Sequence, residues 1–93
     1  MFCGMATTPV KPGREEDLIA AARDHAEALR AQPGCLATYV LLERGAARQV
    51  SISVFECEEA FQRAVEATRP VIAKHRIEQL WTSPSSFAFF DVR

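Results

Sequence analysis

The chain has 93 residues, 48% of them hydrophobic, and its eleven basic and twelve acidic side chains give a net charge of −1. That length holds one domain, residues 1–93, around a single core. Such a domain buries only about 60–65% of its unfolded surface, so the hydrophobic excess points to a partner surface, most simply that of a second copy. No basic block is present to neutralise phosphates, which argues against a nucleic-acid partner. No apolar run approaches the roughly 18 residues of a membrane span, and no charged-then-apolar leader opens the chain. Cys3, Cys35 and Cys57 have neither the count nor the spacing of a disulfide framework or a zinc site. The expectation is a reduced, cytoplasmic protein without a bound metal.

Phe2–Val10 is predicted to be a strand, followed by a turn at Lys11-Pro12-Gly13. A helix starts near Arg14, where Glu15, Glu16 and Asp17 complement the dipole of its first turn. Its apolar stripe is Leu18, Ile19, Ala22, His25, Ala26 and Leu29, and Gln32-Pro33-Gly34 ends it. Cys35–Glu43 is a second strand, with Leu36, Thr38, Val40 and Leu42 on one face and Cys35, Ala37, Tyr39 and Leu41 on the other. Both sets are largely apolar, which predicts cover on both sides. The Arg44–Ala47 loop makes a hairpin to the strand Arg48–Phe55. Here Val50, Ile52 and Val54 alternate with Gln49, Ser51 and Ser53, the signature of a strand with two unlike faces.

The period then changes. A second helix begins near Cys57 and Glu58, and Phe55 at the join points into the space between sheet and helix. Pro70 donates no backbone hydrogen bond but suits a first helical turn, so a third helix is predicted over Pro70–Trp81. Ser86–Val92 is the last strand. The order predicts an α+β, ferredoxin-like sandwich, with an antiparallel sheet and helices on one face. The other face carries apolar residues that nothing in the chain is left to cover. Two such sheets packed face to face remove that exposure.

Three stretches resemble the antibiotic biosynthesis monooxygenase family of the dimeric α+β barrel superfamily. They are Lys11-Pro12-Gly13 before an acidic helix start, Gln32-Pro33-Gly34-Cys35, and Val54-Phe55-Glu56-Cys57-Glu58-Glu59-Ala60-Phe61. The resemblance implies a homodimer whose sheets form a barrel, with a cavity in each subunit between sheet and helices. It implies cofactor-independent oxygenation of a small aromatic of quinol or anthrone type, a non-catalytic dimer that binds a small hydrophobic molecule, or a haem-binding or haem-degrading protein. The family's two best-known catalytic types are associated with an Asn and a Trp. This chain has no Asn, and Phe55 fills the usual Trp position while Trp81 lies far downstream.

The residues themselves leave alternatives. His75, which the resemblance aligns with a family histidine, is a general base or haem ligand, or else a surface or interface residue. His25 faces the cavity as a base, or packs half-exposed. Tyr39 positions a phenolic substrate, or anchors its strand. Phe55 and Trp81 shape an aromatic pocket, or fill the core. Cys57, at a helix start among Glu56, Glu58 and Glu59, is reactive or structural.

Overall fold

A computed structural model describes residues 1–45 and 47–93, so Ala46 of the predicted hairpin loop lies outside the described residues. The chain forms β1 (Phe2–Pro9), α1 (Glu15–Arg30), β2 (Cys35–Leu42), β3 (Arg48–Phe55), α2 (Glu58–His75) and β4 (Ser86–Asp91), with a single 3₁₀ turn at Ile77–Gln79. The sheet is fully antiparallel in the order β2-β3-β1-β4. That is the ferredoxin-like arrangement, with both helices on one face. The β2–β3 hairpin closes through Glu43 N–H donating to Arg48 O at 3.0 Å.

The register fixes which side chains face the helices. Gly4 lies under the Phe61 ring of α2 and pairs with Ser53 of β3 and Phe89 of β4. By period-two alternation Gly4, Ala6 and Thr8 therefore face the helices, together with their partners Ser53, Ser51 and Gln49. Val50, Ile52 and Val54 face away, beside Met5 and Cys3. No element among the described residues covers that outer face.

The core divides in two. Phe55, 0% exposed, packs with Leu29, Ala60 and Ala64 at one end, and Val10, Leu18 and Leu80 cluster at the other. Between these clusters the inward side chains are short, and the sheet and helices do not fill the space.

Two expectations need correction. No new helix begins at Pro70. α2 runs through it to His75 and ends where Arg76 takes a left-handed φ of 48°. Proline there deprives the Glu66 carbonyl of its helical partner, but Pro70 and Glu66 are both exposed, where water can take that bond. α2 is also hydrogen-bonded to α1 on both sides of Pro70, through Thr68 and His75. Tertiary contacts thus override the local break.

The second correction concerns β2. Within the chain it is an edge strand rather than one covered on both sides, and Leu36, Tyr39, Leu41 and Leu42 are exposed. A bulge between Cys35 and Ala37 also shifts its faces, so Cys35, opposite Phe55, lies on the same side as Thr38, opposite Ser53.

Candidate functional site

A cavity of about 660 Å³ lies between the sheet and the two helices, within the size range of small-molecule sites. It exists because small residues meet where a core would need large ones. Gly4, Ala6, Ser51 and Ser53 form the floor, and Ala21, Ala22, Ala26 and Ala73 form part of the helical wall. Leu18, Leu29, Val65, Ile72 and Ile77 make the rest of that wall apolar. Phe61 closes one end. Phe87 and Phe89 of the edge strand β4 stand exposed at the rim, since α1 packs on β2 and β3 and leaves the β4 side open.

His25 of α1 is the ionisable group set deepest in this wall. Its Nε2 lies 3.0 Å from Thr68 Oγ1, and the Thr68 hydroxyl donates to Ala64 O at 2.8 Å. With the hydroxyl hydrogen committed there, Thr68 offers His25 a lone pair. The consistent tautomer has Nε2–H as donor and leaves Nδ1 as a base without a partner among the described residues. Burial holds the His25 pKa below its ordinary value, against a smaller opposing pull from Asp24. Burial thus favours the neutral imidazole. Arg69, also at the cavity, is exposed and pairs with Glu66 at 2.8 Å.

The opposite wall is polar. Thr8, Gln49 and Ser53 are buried, and Ser51 is half-buried. Gln49 Nε2 donates to Ser51 Oγ at 2.9 Å, and Thr8 Oγ1 and Ser85 Oγ share a hydrogen at 2.6 Å.

The other residues singled out from the sequence are dispersed. His75 does not line the cavity, and its Nε2 lies 2.8 Å from Asp24 Oδ2, which Lys74 also approaches at 3.0 Å. Tyr39 belongs to the strand that borders the cavity, but it pairs with Ile52 on the outer face and is 55% exposed. Phe55 is core, edge-to-face with Phe61 at a centroid distance of 5.7 Å. Trp81 bridges Val10 outside the cavity. Cys57 is the exposed N-cap of α2, and burial raises the Cys35 thiol pKa. Among the described residues no group of three or more His, Cys, Asp or Glu is placed to hold a metal ion, and no helix is long and apolar enough to cross a membrane.

Comparison with known proteins agrees with this fold. Residues 1–69 match the family model described as antibiotic biosynthesis monooxygenase. A putative antibiotic biosynthesis monooxygenase from Nitrosomonas europaea superposes with a TM-score of 0.87 at 16% identity, covering 99% of this chain and 98% of that one. A mutant of SnoaB, a cofactor-independent oxygenase from Streptomyces nogalater, gives a TM-score of 0.79 at 24% identity, covering 99% and 92%. Rv0793 from Mycobacterium tuberculosis gives 0.85 at 15% identity, covering 99% and 94%. No curated protein matches the sequence.

Proposed function

The chain belongs to the antibiotic biosynthesis monooxygenase family, and from that membership we propose that it is a cofactor-independent oxygenase of a small, flat, electron-rich aromatic of quinol or anthrone type. The observation that carries this reading is the place of His25 in the cavity wall, with Nε2 tied to Thr68 and Nδ1 uncommitted. For an anthrone-type substrate, Nδ1 takes a proton from the ring methylene. The carbanion passes one electron to O2, and the resulting radicals combine to form a C–O bond. The peroxide so formed loses water, with the second methylene hydrogen leaving as a proton. A ketone remains that carries one oxygen atom of O2, and the other atom leaves in the water. The electrons come from the substrate, so the scheme draws on neither flavin nor metal. Apolar walls favour it twice, by binding the rings and by keeping water from the carbanion.

We assign the assembly to a homodimer through the outer sheet face, where Val50, Ile52 and Val54 would be covered by the same face of a second copy. Sedimentation at micromolar concentration tests this, and a monomer of the chain mass contradicts it.

The experiment for the activity is oxygen uptake with a panel of anthrones and quinols. Uptake above the buffer rate supports the reading. Saturable binding without uptake would assign the chain to the alternative of a non-catalytic binder of small hydrophobic molecules.

A further inference from the structure

We infer that Gln49, Ser51 and Ser53 form a reading strip that fixes an oxygen-bearing edge of the ligand along β3. The inference rests on the cavity being the ligand site, and it goes beyond the placing of a base there.

These three side chains share the inward face of one strand at alternate positions, spaced about 6.8 Å apart and spanning about 14 Å. An apolar set would normally face the helices. Here the strand turns its apolar set, Val50, Ile52 and Val54, outward instead. Gln49 is 3% exposed and Ser53 8%, yet neither is fully used. Gln49 spends its amide nitrogen on Ser51 Oγ and leaves Oε1 without a partner among the described residues. Ser51 still has its own hydrogen to donate. Ser53 Oγ makes no side-chain hydrogen bond among the described residues. Every fully enclosed side-chain polar atom among those residues does have a partner, so the unused groups open onto the cavity space.

On the β2 side Thr38 stands opposite Ser53 and donates its hydroxyl hydrogen to Ala26 O at 3.5 Å, and on the β1 side the neighbours are too short to reach the strip. Across β1, the partner of Ser51 is Ala6 and the partner of Ser53 is Gly4. Neither side chain is long enough to reach over and satisfy the hydroxyls. Buried polar groups with spare capacity are costly unless something bonds them. Water alone can do so in the empty site. A ligand that displaces the water must carry matching groups, or affinity is lost. The fitting occupant is an elongated ring system with hydroxyl or keto oxygens along one edge, that edge on β3 and its apolar faces between the alanine-rich helical wall and the Phe61 end. The three residues act as positioning and specificity residues.

The test compares two unreactive probes, a dihydroxylated anthraquinone and unsubstituted anthraquinone, by fluorescence titration. Wild type is expected to prefer the oxygenated probe about tenfold or more. The double variant Ser51→Ala/Ser53→Ala should bring that ratio close to one while keeping its affinity for the bare ring. Gln49→Leu should lower the ratio severalfold, and Ser51→Thr, which keeps the hydroxyl, should retain it. A ratio near one in wild type, or a ratio unmoved in the double variant, overturns the inference and leaves the cavity reading standing. Failure of wild type to bind either probe overturns the cavity reading as well. The ratio is taken within each folded variant, so a general loss of stability does not imitate the effect.

Discussion

Nε2 of His25 lies 3.0 Å from Oγ1 of Thr68, and this one contact both ties α1 to α2 and fixes which nitrogen of the imidazole is free. The hydroxyl hydrogen of Thr68 goes to Ala64 O, so Thr68 acts toward His25 as an acceptor. Removing the hydroxyl leaves Nε2–H unsatisfied and the tautomer unspecified. Thr68→Val is expected to lower kcat about tenfold and stability by about 1–3 kcal/mol. Steady-state kinetics and denaturant titration check the two effects separately.

The pH dependence follows from burial. The pKa of His25 is lowered, so its neutral, active form persists to lower pH than for a free imidazole. The acid limb of kcat/KM should have an apparent pKa below the ordinary value of about 6.5. Stability carries the same sign. Below about 6.5 the unfolded chain takes up a proton that folded His25 resists, so stability falls as pH drops through that window. An acid limb above 6.5 would contradict the assignment.

His75 bears on the structure differently. Asp24 is held below the usual carboxylate range, first by the hydrogen bond from His75 and then by Lys74. Its contribution is present above the ordinary Asp pKa of about 3.9 and is lost as pH falls through the lowered value. This pair pins the part of α2 beyond Pro70. Asp24→Asn should leave the global fold intact but raise amide exchange severalfold across Val71–His75. Hydrogen exchange resolved by residue measures it.

Gly34 cannot carry a side chain. Its φ is 87°, and an added Cβ would come within 2.8 Å of Ala60 Cβ, a short and rigid neighbour. Gly34→Ala should therefore cost about 2–4 kcal/mol, from the left-handed backbone and from overpacking together. Thermal unfolding gives the value.

The cavity itself can be filled. Ala22 lies half-buried on its helical wall. Ala22→Phe should weaken ligand binding at least tenfold, while the melting temperature shifts by only a few degrees, because the ring enters space that is already open.

Much of this fold was legible in the sequence. Four strands, the first helix and the strand-to-helix join at Phe55 follow from periodicity and turn residues alone. Pro70 misled, because its local penalty falls on an exposed carbonyl while Thr68 and His75 hold the helix from the other side. For the site, His25 was legible as an edge residue of an apolar stripe. The polar floor was not singled out, although a cue existed. Phe55 must face the helices, and Ser53, Ser51 and Gln49 are in phase with it, whereas Val50, Ile52 and Val54 are not. One buried aromatic at the strand end thus orients the whole strand against the usual rule. The place of Tyr39 on the outer face was harder to read, because the bulge between Cys35 and Ala37 shifts the alternation and no residue type there announces it.

On this reading His25 starts an oxygenation in the cavity. Mass spectrometry of the product formed from an anthrone under isotopically heavy O2 tests it most directly, with wild type beside His25→Gln. One heavy oxygen atom is expected in the wild-type product, and a rate reduced to the buffer background in the variant, which keeps a side chain able to bond Thr68 but has no base. Equal incorporation at equal rate in the two proteins would contradict it.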